Sequence, residues 1–123
     1  MKWLGDYGAS SHVCKDSNYM NNVKTTQEKV TIWDSTTVAA NGRGTACLAT
    51  SEGKDLNQED CLYIPQFDRN IISLGRLASK GNRIEMTESW IKVWSLNEKE
   101  FLKFNREGSL YYLTASPRKE KRG

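Results

Sequence analysis

The sequence has a single histidine and three scattered cysteines, which is too little for a metal site. Cys14, Cys47 and Cys61 lie far apart, and the chain contains no Cys-x-x-Cys pair. A structural zinc site needs four ligands, normally supplied by close pairs of Cys or His. We therefore predict reduced, structural cysteines, no metal and no cofactor.

Long apolar runs are also lacking. No segment approaches the length that is needed to cross a bilayer. The N-terminal residues Met1-Lys2-Trp3 do not begin the long apolar stretch of a signal peptide. We therefore expect an intracellular, cytoplasmic protein that has no membrane partner.

The sequence has little net excess of positive over negative charge outside its C-terminal end. The net charge is +3, and the basic run at residues 118–122 supplies part of it. The rest of the chain is close to neutral, which argues against nucleic acid as a partner. Five aromatic residues on predicted strands could instead form a base-stacking face: Trp33, Trp90, Trp94, Tyr111 and Tyr112. Aromatic residues at alternate strand positions are more typical of a core or barrel wall, and we prefer that interpretation.

Short β-prone segments separated by turn residues dominate what the sequence does contain. Val30-Thr31-Ile32-Trp33 is one such segment, and the final third of the chain alternates in the same way through several predicted hairpins. Apolar residues at helical spacing predict one short helix over about 73–80. With 123 residues the chain can bury one modest core. The pattern predicts an all-β barrel or sandwich.

Asp6 is the first candidate for chemistry. It follows an apolar segment and lies between Gly5 and Tyr7-Gly8, so the sequence predicts a carboxylate at a tight turn. An ordinary surface β-turn is the alternative, because Asp and Gly are favoured turn residues.

Five motifs in order resemble a known family. They are Asp6-Tyr7-Gly8-Ala9-Ser10-Ser11-His12, Gly42-Arg43-Gly44-Thr45, Cys61-Leu62-Tyr63-Ile64-Pro65, Asn70-Ile71-Ile72-Ser73 and Leu110-Tyr111-Tyr112-Leu113. At this spacing the chain resembles the aspartic protease domain of copia-type retrotransposon Pol polyproteins. The resemblance implies a retropepsin-like closed β-barrel over residues 1–114, in which 81–114 resemble the segment that precedes integrase. Residues 115–123 would then be a basic, disordered tail.

The resemblance also implies a function and its residues. Asp6 would be the catalytic carboxylate of an aspartic endopeptidase that processes a Gag-Pol polyprotein. Two carboxylates must share one proton in such an enzyme, so a chain with one candidate would act as a homodimer. Four residues would support the catalytic loop, namely Tyr7, Gly8, Ala9 and Ser10. A structural segment would face the site, formed by Asn70, Ile71, Ile72 and Ser73. The hairpin from Ile32 to Val38 would be a flap over the peptide substrate, with Trp33, Asp34, Ser35 and Thr36 at its centre; an ordinary exposed hairpin is the alternative.

Tyr7 departs from the family pattern, which has Ser or Thr at this position. A tyrosine ring in a small interior site would displace its neighbours at a cost of roughly 1–3 kcal/mol. Three alternatives follow: an inactive copy, a β-barrel module co-opted for self-association or partner binding, or a Tyr7 that points outward in a rearranged loop. We interpret His12 in the same motif as a structural hydrogen-bonding residue, not as a base.

Overall fold

The computed structural model describes residues 1–31 and 37–118. Within these residues 59% lie in twelve β-strands, which confirms the all-β prediction. In chain order the strands are β1 (Lys2–Asp6), β2 (His12–Cys14), β3 (Met20–Thr25), β4 (Lys29–Thr31), β5 (Thr37–Ala39), β6 (Gly42–Thr50), β7 (Asp55–Tyr63), β8 (Asn70–Ser73), β9 (Arg83–Met86), β10 (Trp90–Trp94), β11 (Glu100–Glu107) and β12 (Leu110–Pro117). A 3₁₀ turn (Ser17–Tyr19) precedes β3, and helix α1 (Leu74–Ser79) follows β8.

Six strands close into a barrel, as the resemblance implied. Their order is β6, β7, β2, β8, β1 and β12, and β12 pairs back onto β6. The closing register joins Ala115–Pro117 to Leu48–Thr50. Residues 115–117, which we had assigned to the tail, therefore continue β12, because their backbone groups complete the barrel. Residues 119–123 lie outside the described part of the chain.

The larger of two apolar clusters joins the barrel strands to helix α1 and to strands β10 and β11. Trp3 is fully buried at its centre and meets Tyr19 edge-to-face, with 5.2 Å between ring centroids. The Tyr19 hydroxyl donates a hydrogen bond of 2.9 Å to the Ala115 carbonyl oxygen of the closing strand. The core aromatic pair is therefore tied directly to the closure of the barrel.

The predicted C-terminal hairpins extend the sheet beyond the barrel. Strands β11, β10 and β9 follow β12 in that order. Ile91 and Val93 of β10 are fully buried in the main core, whereas Trp90, Lys92 and Trp94 lie half-buried on the opposite face. The Lys92 ammonium lies 4.5 Å from the Trp90 ring centroid. Trp90 and Trp94, which we predicted to lie in a core or barrel wall, thus lie outside the core on a half-buried face, because alternation along β10 gives the core face to the aliphatic residues.

The single helix is confirmed, with slightly shorter bounds than predicted. It begins at Leu74 because Ser73 is its N-cap, whose side-chain oxygen accepts a hydrogen bond of 3.2 Å from the Arg76 amide. It ends at Ser79, two residues before Gly81, whose φ of +94° suits a chain reversal. No helix in the described residues is long and apolar enough to cross a membrane.

The three cysteines are buried thiols that form no disulfide within the described residues, as predicted. Burial raises the pKa of the Cys14 thiol to about 12 and raises that of Cys61 well above its usual value. Both thiols therefore stay protonated at neutral pH and act as small apolar side chains.

Gly5 provides a test of this packing, because the barrel leaves no room for a side chain there. A Cβ at this position would lie 2.9 Å from Cδ2 of Phe104. We expect Gly5→Ala to lower the free energy of unfolding by about 1–3 kcal/mol, measured by urea denaturation. The cost should shrink in a Phe104→Leu background, which removes the ring. Costs that simply add in the double variant would contradict this contact.

Candidate active site around Asp6

Asp6 is the last residue of β1 and lies at the rim of the barrel. The parallel pairing of β1 with β8 places Gly5 opposite Ile72 and Asp6 opposite Ser73. Within the loop that follows, the Gly8 amide donates a hydrogen bond of 2.7 Å to Oδ1 of Asp6. This Asx-type turn fixes one carboxylate oxygen and leaves the other available.

A cavity of about 350 Å³ opens beside this carboxylate. It is lined by Asp6, Gly8, Ala9, Ser10, Ser11, Val30, Thr31, Phe67 and Ile71. Phe67 and Ile71 belong to the second apolar cluster, and Val30 packs against that cluster. Asp6 is the one acidic side chain in this lining, so the described residues form an apolar pocket with a single carboxylate at its edge.

Three of the four predicted loop residues, Gly8, Ala9 and Ser10, line the cavity, but Tyr7 does not. Tyr7 is 52% exposed, so its ring points to solvent and does not overpack the interior. Its carbonyl oxygen faces the helix, where a Cβ added to Gly75 would lie 3.3 Å away. The outward orientation of Tyr7, which was the third alternative left by the sequence, is therefore found in the structure.

The segment 70–73 divides between two faces of β8. Ile71 lines the cavity and Ser73 lies beneath the loop, where its hydroxyl donates a hydrogen bond of 2.5 Å to the Ala9 carbonyl oxygen. Ile72 is buried in the main core instead. The buried side chain of Asn70 accepts a hydrogen bond of 2.8 Å from the Lys15 amide. Strand alternation thus brings only two of these four residues to the site.

His12 is fully buried below the same loop and has a structural set of contacts. The Ser73 amide donates a hydrogen bond of 2.9 Å to its Nδ1, and the side-chain amide of Gln58 contacts its Nε2. Burial, and then the positive charges of Arg76 and Lys80, lower the pKa of His12 to about 3. These contacts support the interpretation of His12 as a hydrogen-bonding residue rather than a base.

Sequence reasoning missed several residues of this site. Gln58 is only 3% exposed on β7, and Phe67 lines the cavity although no motif includes it. The one available signal for Gln58 was a polar residue at an inward strand position. This signal does not identify His12 as its partner.

The hairpin of β4 and β5 forms one wall of the cavity through Val30 and Thr31. The predicted flap residues Trp33, Asp34, Ser35 and Thr36 lie outside the described residues. The base of the hairpin is held to the barrel by ion pairing, because Glu28 contacts Arg43 of β6 at 2.5 Å. Arg43 in turn lies 3.9 Å from the carboxylate of Asp60 on β7, to which Arg76 of the helix also pairs.

Comparison of the sequence with known proteins finds a matching family and two relatives from plant transposons. The family model of the Pol polyprotein β-barrel domain matches residues 3–82. The retrovirus-related Pol polyprotein from transposon RE1 of Arabidopsis thaliana is 31% identical over 98 residues, which cover 77% of this chain and 7% of that protein. The Pol polyprotein from transposon RE2 of the same plant is 34% identical over 86 residues, covering 68% and 6%. The chain therefore spans only a small fraction of these relatives, and no solved structure matches it significantly.

The contacts of His12 predict how stability depends on pH. Above pH 6.5 the histidine is neutral in both states, and its contribution to stability is complete. Between pH 6.5 and about pH 3 the unfolded chain binds a proton that the native ring does not. The free energy of unfolding therefore falls as the pH is lowered through this range, by at most about 1.4 kcal/mol per pH unit. Urea denaturation at pH 7.5, 6, 5 and 4 should show this slope in addition to that of the carboxyl groups.

The control is His12→Asn, which keeps an acceptor near the position of Nδ1 and does not titrate. Its stability should fall less steeply between pH 6.5 and 4 than that of the natural chain. Equal slopes for the two proteins would contradict the lowered pKa of His12.

Proposed function

We propose that this chain, which belongs to the family of Pol polyprotein β-barrel domains and is of retrotransposon origin, is an aspartic endopeptidase domain that processes a Gag-Pol polyprotein as a homodimer. The observation that carries the proposal is the position of Asp6. Its carboxylate lies at the edge of an apolar cavity, is oriented by the Gly8 amide, and is backed by Ser73 of the paired strand.

The chemistry needs two such carboxylates and one water. The ionised Asp6 of one copy takes a proton from the water, whose oxygen attacks the peptide carbonyl carbon. The protonated Asp6 of the other copy gives its proton to the carbonyl oxygen, which yields a tetrahedral diol. When the diol collapses, the C–N bond breaks, the first Asp6 gives the proton taken from the water to the leaving amine, and the second Asp6 takes a proton from a diol hydroxyl, which restores the starting pair. Two adjacent carboxylates hold one proton between them because both cannot ionise at such short distance, which supplies the acid and the base together.

A homodimer would supply the second carboxylate. The cavity contains one carboxylate, that of Asp6, and the chemistry needs two. A two-fold axis next to Asp6 would bring the two copies of the same loop together. The apolar walls formed by Val30, Phe67 and Ile71 suit the side chains of an extended peptide.

Asp6→Asn tests the assignment of the carboxylate. The change preserves shape and removes the charge, so cleavage of peptide substrates should fall to the uncatalysed level. Asp68→Asn is the matched control, because Asp68 is exposed and does not line the cavity. Cleavage should be measured by mass spectrometry on a peptide library, with sedimentation of the same samples. Turnover that survives Asp6→Asn, or a strict monomer at every concentration, would contradict the proposal.

Tyr7 favours a second candidate function, a non-catalytic barrel used for self-association or partner binding. The exposed phenol cannot supply the short hydroxyl that the resemblance implies beside Asp6. If this candidate is correct, the natural chain shows no turnover. Tyr7→Ser should then produce Asp6-dependent cleavage, whereas Tyr7→Phe should not. Robust turnover by the natural chain would exclude this second function.

A further inference from the structure

One residue below the cavity holds the loop of Asp6 at two separate points. The loop spans residues 7–11, between β1 and β2. The Ser73 hydroxyl bonds to the Ala9 carbonyl oxygen in the middle of this loop, and the Ser73 amide bonds to His12 where the loop ends. Ser73 is also the strand partner of Asp6, so this one residue contacts the start, the middle and the end of the loop.

The protonation state of His12 decides whether this arrangement can exist. An imidazole nitrogen accepts a hydrogen bond only when it carries no proton, so Nδ1 must be bare to receive the Ser73 amide. The neutral ring then carries its proton on Nε2, which faces the Gln58 side chain. The structure places Nε2 of Gln58 against this ring nitrogen, and two N–H groups cannot bond to each other. Because Oε1 of Gln58 is buried without a hydrogen-bond partner among the described residues, we assign the amide with this oxygen turned toward the ring N–H.

The charged groups around His12 favour the same state. Arg76 and Lys80 of the helix oppose a positive charge on the ring, and the strand partner on β7 is Cys61, whose thiol stays protonated. No carboxylate in the described residues pairs with His12 to stabilise an imidazolium. The site therefore holds a neutral histidine of one tautomer.

We propose that His12 and Ser73 are positioning residues for Asp6. Neutral His12, whose Nε2 proton is held by Gln58, fixes the Ser73 amide. The Ser73 hydroxyl in turn fixes the loop that follows the carboxylate. Neither side chain lines the cavity, and both are fully buried, so neither touches the substrate. The effect on catalysis rests on the proposed function, but the effect on the loop does not.

The unmodified chain gives the first test, through the nitrogen resonances of its single histidine. A long-range ¹H–¹⁵N spectrum at pH 7 should show an unprotonated Nδ1 and a protonated Nε2. The opposite tautomer, or an imidazolium, would overturn the proposal, because Nδ1 could then not accept from Ser73.

Two replacements of nearly equal shape give the second test. His12→Asn retains an acceptor for the Ser73 amide, whereas His12→Leu leaves that amide buried without a partner. Hydrogen exchange of the Ser73 amide should be at least tenfold faster in His12→Leu than in His12→Asn. Exchange at Val93, in the core strand β10, reports global stability, and the tenfold difference at Ser73 is judged after any difference at Val93 has been subtracted. Equal exchange at Ser73 in both variants would overturn the role of His12. If His12→Leu does not fold, the tautomer measurement on the unmodified chain decides whether His12 has this role.

The Ser73 hydroxyl is tested by Ser73→Ala against Ser73→Thr, which keeps the hydroxyl. Loss of the bond to Ala9 should shift the Gly8 amide resonance, which reports the contact with Asp6, in the alanine variant alone. For an active enzyme we expect kcat to fall by about 100-fold in Ser73→Ala with little change in KM, since misplacement of the reacting group by about 1 Å costs this much. An unchanged Gly8 resonance would overturn the role of Ser73. Absence of turnover in the natural chain would count against the proposed function, and the exchange and resonance measurements would still decide the positioning role.

Discussion

The parallel pairing of β1 with β8 is the constraint on which the rest of the site depends. In this register Asp6 stands beside Ser73, and side chains alternate so strictly along a strand that a slip of one residue would move Asp6 to the other face. The slip is prevented from within the barrel, because Trp3 and Leu4 of β1 are buried. The position of the carboxylate is thus set by core packing more than by the loop that carries it.

Two parts of the cavity around Asp6 are held by different interactions, a buried polar floor and a wall with a partly exposed ion pair at its base. The floor consists of Ser73 and His12, whose polar groups are buried and hydrogen-bonded, and such groups are costly to separate. The wall is the hairpin of β4 and β5, and the Glu28–Arg43 pair at its base is partly exposed. Exposed ion pairs contribute little, typically below about 1 kcal/mol.

The sequence predicted those parts of the structure that are encoded locally. The helix was evident from its spacing, whereas the motif around Asp6 and the segment 70–73 were assigned to one site only through their resemblance to a known family. The outward side chains of Trp90 and Trp94 could not be predicted, because alternation gives a strand two faces and only the packing of β11 against the barrel selects one. Gln58 likewise has no local signal for its partner, since the contact with His12 exists only after β2 and β7 pair.

The position of β12 has a consequence for how this domain forms during synthesis. β1 is made first, yet its neighbours in the finished barrel are β8 and β12, and Lys2 pairs with Thr114. Contacts between residues so distant in sequence form slowly, because the chain must lose loop entropy before they stabilise it. Until Pro117 has left the ribosome, the strand that carries Asp6 therefore belongs to a barrel that has not closed.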